Sequence, residues 1–317
     1  GYRVRVLDWF LYGDDVFDSG YSADELTLIP GDIRDLKLLE TALAGADAVI
    51  HLACVSNDPS FELDPVLSRS VNLDAFEPLV AASKAAGVKR FIYASTSSVY
   101  GVSEAAEVTE DHPLLPLTDY NRFKGMCEPI LFGYGSDQFE CTVVRPATVC
   151  GYSPRQRLDL TVNILTAHAY VNGLITVFGG EQMRPNLHIE DMTDLYVQLL
   201  QESRQRIDGK TFNAGYQNYK VIDLAQIVLG KVQELEPDRE FNIRITPSDD
   251  IRSYHISSQY LAEQLGFKPR HTIENAVEDI VQAFRLNAFY NPLENPNYSN
   301  LKKMKLALEL NDPILCQ

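Results

Sequence analysis

Cysteine is scarce and unpatterned in this chain: five in 317 residues, an odd number, at positions 54, 127, 141, 150 and 316, with no C-x-x-C. That usage excludes a disulfide framework and a cysteine zinc site, and no metal is expected; it fits reduced thiols in the cytoplasm. Basic charge is also in deficit. Lys and Arg number 28 against 44 Asp and Glu, a formal net charge of -16, so neither nucleic acid nor an anionic membrane is an expected partner. A small anionic ligand stays compatible, because a pocket can be locally basic in an acidic protein. No apolar run approaches the roughly 20 residues of a membrane span, and no secretory leader is visible. There is no internal repeat. What is present, 45% hydrophobic and 23% charged residues, suits a soluble globular enzyme with a large core, in one composite or two domains.

The stretch around which the chain is organised runs over residues 89–124. It reads K-R-F-I-Y-A-S-T-S-S-V-Y-G, then a polar turn region, then T-D-Y-N-R-F-K. Phe91, Ile92, Tyr93 and Ala94 form an apolar, partly aromatic run bounded by a basic pair and a hydroxyl cluster, which predicts a short buried strand. Ser95, Thr96, Ser97 and Ser98 then lie at its carboxyl end, where ligands bind in open parallel α/β sheets. Tyr120 and Lys124 follow at i and i+4 on a predicted helix, with Thr118 or Asp119 as its N-cap. That spacing stacks phenol and ammonium on one face. A cation beside a phenol favours the phenolate, so Lys124 is expected to lower the Tyr120 pKa and make it a usable general base. Thr96 either shares the proton or holds the substrate oxygen. The chemistry suggested is proton removal from a hydroxyl during hydride transfer.

Y-x-x-x-K alone also describes an ordinary surface helix with one half-buried tyrosine. The combination is far more specific: a strand ending S-T-S-S-V-Y-G, then Y-x-x-x-K, then a strand ending R-P-A-T-V-C-G. It resembles the extended short-chain dehydrogenase/reductase family, and within it the NAD-dependent nucleotide-sugar epimerases and dehydratases, from V-R-V-L-D to about residue 285. The resemblance implies a Rossmann-like doubly wound parallel α/β sheet with a smaller α/β substrate lobe. It assigns residues 1–150 and 186–201 to the NAD-binding domain, and 151–185 and 202–317 to the nucleotide-sugar lobe. It also implies NAD as cofactor, a nucleotide-diphosphate sugar as substrate, and a homodimer.

R-V-R-V-L-D, residues 3–8, has the form of the second strand of a dinucleotide-binding unit. Its terminal acid, Asp8, accepts from ribose hydroxyls and repels a 2'-phosphate, favouring NAD over NADP. The glycine-rich phosphate loop normally lies about 20 residues earlier, and no G-x-x-G-x-x-G occurs in the chain. The expectation is that the first strand and that loop precede residue 1. By resemblance Asp32 and Ile33 flank the adenine, Leu52, Ala53 and Cys54 line the ribose and pyrophosphate path, and Asn72 orders the helix beside the active site. Ser95 and Pro146 complete the cofactor set with Tyr120 and Lys124. His51, in an apolar strand, reads as a hydrogen-bonded structural histidine. Pro78 marks a kink or a late helix start, and Pro129 a bend beyond the catalytic pair.

For the substrate, the resemblance places Arg184 and Arg252 on a nucleotide diphosphate, a role suited to the bidentate guanidinium. His255 stands where an aspartate is common. Asp159 and Asn163 are candidates for base or ribose, and Ser56, Asn57, Thr96 and Ser97 for the sugar. Nucleotide-sugar 4,6-dehydratases carry an Asp-Glu pair after the threonine; here Ser97 and Ser98 follow, and neither does that work at neutral pH. The expected reaction is therefore epimerisation at C4 through a keto sugar, with Thr96, Tyr120 and Lys124 as catalytic set. A 4-keto nucleotide-sugar reductase is the nearest competitor, ahead of a dehydratase or decarboxylase. A dinucleotide-binding sensor is the reading from another class, against which the intact triad argues. The Asn- and Pro-rich tail from residue 287 is either an arm across the substrate lobe or a dimer contact.

Overall fold

The computed structural model describes residues 1–17, 20–103, 105, 107–248, 253–313 and 315. Eleven strands are present among them: β1 (Val4–Asp8), β2 (Leu26–Pro30), β3 (Ala48–His51), β4 (Arg90–Ala94), β5 (Glu140–Pro146), β6 (Thr148–Cys150), β7 (Leu174–Phe178), β8 (Met183–His188), β9 (Lys210–Ala214), β10 (Gln217–Lys220) and β11 (Asn242–Thr246). β4 and β5 are nearly continuous apolar runs because both of their faces are covered, as parallel sheets require. Phe91, Ile92, Tyr93, Val143 and Val144 are each at most 1% exposed. They sit in a four-stranded parallel sheet of order β3-β4-β5-β9, in which Tyr93 lies beside Val143 and Ala94 beside Val144. β1 and β2 form a separate parallel pair, Asp8 beside Pro30. Among the described residues β1 and β3 share no ladder; Leu7 and Val49 instead pack on one apolar cluster, and the Arg5 guanidinium donates to the carbonyls of Ala42 and Ala44.

Helices lie where the pattern and caps put them. Thr118 accepts from the Asn121 amide and opens the helix Asp119–Tyr134, which runs on through Pro129. Pro78 falls in the first turn of Phe76–Ala85, where its missing N–H is not needed. The π-turn Ser70–Asp74 precedes that helix and carries the buried Asn72.

The second lobe is built on the parallel pair β7–β11 and the mixed sheet β10-β8-β6. Its core joins Ile175 and Val177 to Leu224, Val228, Val277 and Val281 on the helices Val221–Leu235 and Ile273–Arg285. One expected boundary needs correction. β9 falls in the range given to the sugar lobe, yet it pairs with β5, Phe212 beside Val144, and closes the edge of the four-stranded sheet. The apolar Phe212 (0% exposed) is what the sheet needs there, and its flanking Lys210 and Thr211 mask it in the sequence.

The C-terminal arm crosses between the lobes. Asn287 and Asn291 turn it with positive φ of 56° and 47°, a region asparagine tolerates better than most residues. Phe289, Leu293 and Tyr298 pack on Phe284 and Leu158 of the second lobe. The final helix, Asn300–Glu309, then sets Met304 and Ala307 against Ile33, Val55, Leu67 and Val71.

Candidate active site

β4 ends in Ser95 and Thr96. Thr96 Oγ1 caps the short turn Ser97–Tyr100, accepting from the Ser98 amide at 3.2 Å, and lies 2.8 Å from Ser98 Oγ. Ser98 Oγ in turn donates to Asn121 Oδ1. Gly101 follows at φ 67°, and a Cβ there would meet the Leu115 carbonyl at 2.0 Å, so only glycine lets the loop cross so closely. One turn apart on their helix, Tyr120 and Lys124 face the same space as Thr96. All three line a cavity of about 790 Å³. Ser95, Ser97 and Pro146 share that wall, as do Asn57, Asp159 and Arg184.

A second cavity of about 340 Å³ opens at the carboxyl end of β1. Asp8 and Ile33 line it, with Ala53 from the loop after β3. Leu52, Cys54, Ser56 and Arg157 line both cavities and form the neck between them. Asp8 Oδ1 accepts from the Phe10 amide at 2.7 Å, with its carboxylate at the surface. Most of the residues expected to meet adenosine, ribose and the reacting sugar thus lie along one joined groove.

Three expected ligand contacts lie off both walls. Asp32 is 2% exposed, and its carboxylate accepts from Trp9 Nε1 at 2.8 Å and from Arg34 Nη2 at 2.6 Å. Burial works to raise its pKa, but the hydrogen bonds from Arg34 and Trp9 outweigh it and leave the group below its ordinary value. Asn72 is a clamp: it accepts from the Val55 amide at 2.8 Å and donates to the Val55 carbonyl at 2.9 Å, fixing the turn that carries Cys54 and Ser56. Asn163 accepts from the Gly151 amide at 3.0 Å and donates to the Arg157 carbonyl at 2.8 Å; it shapes the loop that presents Arg157. Arg252 lies outside the described residues. His255 Nε2 donates to the Ala105 carbonyl at 2.8 Å. His51 packs among the rings of Phe76, Phe91 and Tyr93.

The electrostatics of the base differ from expectation. Tyr120 is pushed well above the usual phenol range, first by burial and next by Cys54, and the main positive charge opposing this is that of Arg157. Lys124 is 3% exposed; its ammonium donates to the Ala94 carbonyl at 2.7 Å and lies 5.0 Å from the centre of the Tyr93 ring. The lysine is turned to the strand end, so the stacking inferred from i,i+4 spacing does not aim its charge at the phenol. Arg157 was not singled out by the sequence: its only signal is a second arginine in the loop S-P-R-Q-R, and nothing in that spacing says which way it points. Tyr254 is a further unforeseen wall residue, with the Arg184 guanidinium 5.4 Å from its ring centre.

Beneath the hydroxyl cluster runs a buried ion pair. Ser95 Oγ donates to Glu128 Oε1 at 2.6 Å, Arg145 Nη2 to Glu128 Oε2 at 2.6 Å, and Arg145 Nη1 to the Tyr100 hydroxyl at 2.6 Å. Tyr100 donates onward to Asn213 Oδ1 at 2.7 Å. The network joins the end of β4, the helix Asp119–Tyr134, β5 and β9.

Among the described residues there is no metal-ligand cluster and no helix long and apolar enough to cross a membrane. A sequence model described as the NAD dependent epimerase/dehydratase family matches residues 1–215. A UDP-glucose 4-epimerase of Lactobacillus helveticus is 28% identical over 273 residues, covering 79% of this chain and 80% of its own. A dTDP-glucose 4,6-dehydratase of Streptomyces niveus is 25% identical, covering 94% and 88%. Among solved structures, the dTDP-glucose 4,6-dehydratase from Streptomyces venezuelae with NAD bound superposes with a TM-score of 0.80 at 21% identity, covering 92% and 90%.

Proposed function

Because the chain belongs to the NAD dependent epimerase/dehydratase family, we propose that it is an NAD-dependent nucleotide-sugar epimerase, acting at C4 of the sugar through a keto intermediate. The observation that carries the reading is the convergence of Thr96, Tyr120 and Lys124 on one cavity whose next two residues are Ser97 and Ser98. The carboxylates on that wall are engaged elsewhere. Asp58 accepts from Thr118 Oγ1 at 2.6 Å, and Asp159 accepts from Arg157 and from the Asn300 amide. An acid pair for removing water is therefore lacking among the described residues, which favours epimerisation over dehydration although relatives of both kinds exist.

The groove suits NAD. Asp8 at one end offers acceptors for the hydroxyls of the adenosine ribose, small residues flank the neck, and Lys124 at the other end donates to the ribose next to nicotinamide. NAD held there would supply the acceptor, and later the donor, of the hydride at the reacting carbon. Tyr120 removes the proton from the hydroxyl on that carbon, and Thr96 holds the oxygen by a hydrogen bond. Arg184, stacked on Tyr254, supplies positive charge for the diphosphate.

The test is incubation with a panel of nucleotide sugars and no added reductant, followed by proton NMR of the anomeric region. A new epimer with no net NADH supports the reading and names the sugar. Turnover of a keto sugar only when NADH is supplied replaces it with a reductase.

A further inference from the structure

The final helix begins at the neck between the two cavities. Its first residue, Asn300, is 6% exposed and makes three polar contacts in three directions. Its amide N–H donates to Asp159 Oδ2 at 2.8 Å. Its Oδ1 accepts from Arg155 Nη2 at 2.6 Å, and its Nδ2 donates to Ser56 Oγ. Ser56 lies on the loop after β3 and Asp159 on the loop after β6, so one side chain and its own backbone tie together the loops that form the neck. Asp159 extends the tie, since its Oδ1 accepts from Arg157 Nε at 2.9 Å. An amide is suited to this place because it donates and accepts at once, which neither a carboxylate nor an ammonium does.

We propose that Asn300 is a positioning residue of the active site: it fixes Ser56 and, through Asp159, Arg157 at the neck, so that the C-terminal arm holds Arg157 against Tyr120. The inference rests on the reading of Tyr120 as base. The groups that face Tyr120 come from several elements: Cys54, Asp58, Arg157 and Tyr254, with Lys124 on its own helix. Of these Arg157 is the one that favours the phenolate. Released from Asp159, the guanidinium keeps its charge but spreads over many rotamers, and its pull on the phenol weakens with distance.

The experiment compares Asn300→Pro, which removes the side chain and also the amide donor to Asp159 at a first helical position that tolerates proline, with the wild type across pH; Asn300→Ala, which keeps that amide, isolates the contacts to Ser56 and Arg155. The expected result is a kcat lower by about tenfold, with the acid limb of the pH profile moved upward because the base titrates higher. NAD affinity, followed by fluorescence of Trp9 on the second cavity, stays close to wild type. In an Arg157→Met background Asn300→Pro adds little, as expected for residues acting through one another. Additive losses, or a lower kcat with an unmoved acid limb, overturn the proposal. A second readout needs no sugar. Cys54 is half-buried at the neck while Cys127, Cys141 and Cys150 are buried, so in a Cys316→Ser background the alkylation rate reports Cys54. Faster alkylation in Asn300→Ala is expected, and an unchanged rate overturns the tie whatever the chemistry. Faster alkylation in a protein whose wild type converts no nucleotide sugar overturns the epimerase reading alone.

Discussion

In the proposed reaction Tyr120 carries the proton transfer, and its replacement by Phe removes one oxygen from a site that otherwise keeps its shape. The expected loss in kcat is about 10²- to 10⁴-fold, with NAD binding retained; a variant that keeps most of its turnover would point to another base. His51 makes a separate prediction about stability. Burial first, and the Lys124 charge second, push it down to about 3, against about 6.5 in an unfolded chain. The unfolded state thus binds the extra proton between those values, so the stabilisation is full above pH 6.5 and is lost as the pH falls. Between pH 6.5 and 4 the loss from this residue is about 3 kcal/mol. His51→Phe, which keeps a ring among the same aromatics, should flatten that part of the denaturation profile; an unchanged slope would assign the acid sensitivity to other groups. Both residues were legible in the sequence, one by its motif and one by its apolar strand. Arg157 and Asn300 were not, because a loop arginine and an asparagine in the first turn of a helix read alike whether they face solvent or a neck between cavities.

At the scale of elements, the pair Glu128–Arg145 joins the helix Asp119–Tyr134 to β5, with side chains 5% and 7% exposed. Removing one partner leaves the other charge buried and uncompensated, at a cost of about 3–5 kcal/mol. Arg145→Met should therefore lower the unfolding free energy by that amount in chemical denaturation, and a change below about 1 kcal/mol would show that water reaches Glu128. The same variant frees Ser95 from its carboxylate partner only indirectly, so activity should fall less than stability. β4 and β5 could be read directly because strands covered on both faces must be apolar throughout. β9 could not, since K-T-F-N-A alternates polar and apolar residues and its buried Asn213 is satisfied by Tyr100 and by the Val108 and Ser257 carbonyls, partners far away in the chain. Asp32, Asn72 and Asn163 were expected around the ligands, but each is spent on holding backbone or a neighbouring arginine.

For the whole molecule, a net charge of -16 surrounds a groove with Arg157 and Arg184 on its walls. Long-range repulsion of an anionic nucleotide sugar is screened by salt, with a Debye length of about 8 Å at 0.15 M, whereas charges inside the cavity are screened much less. The value of kcat/KM should accordingly rise between about 0.01 and 0.15 M salt, and a fall would mean that the arginines already dominate the approach. The division of the parallel strands has its own outcome. β1 and β3 are each laddered on one side only among the described residues, and the two sheets meet through side chains such as Leu7 and Val49. In deuterated water the amides of β4 and β5, paired on both flanks, should hold their protons longest. Along β1 and β3 slow and fast sites should alternate, drawing the seam between the sheets residue by residue in an isotope map.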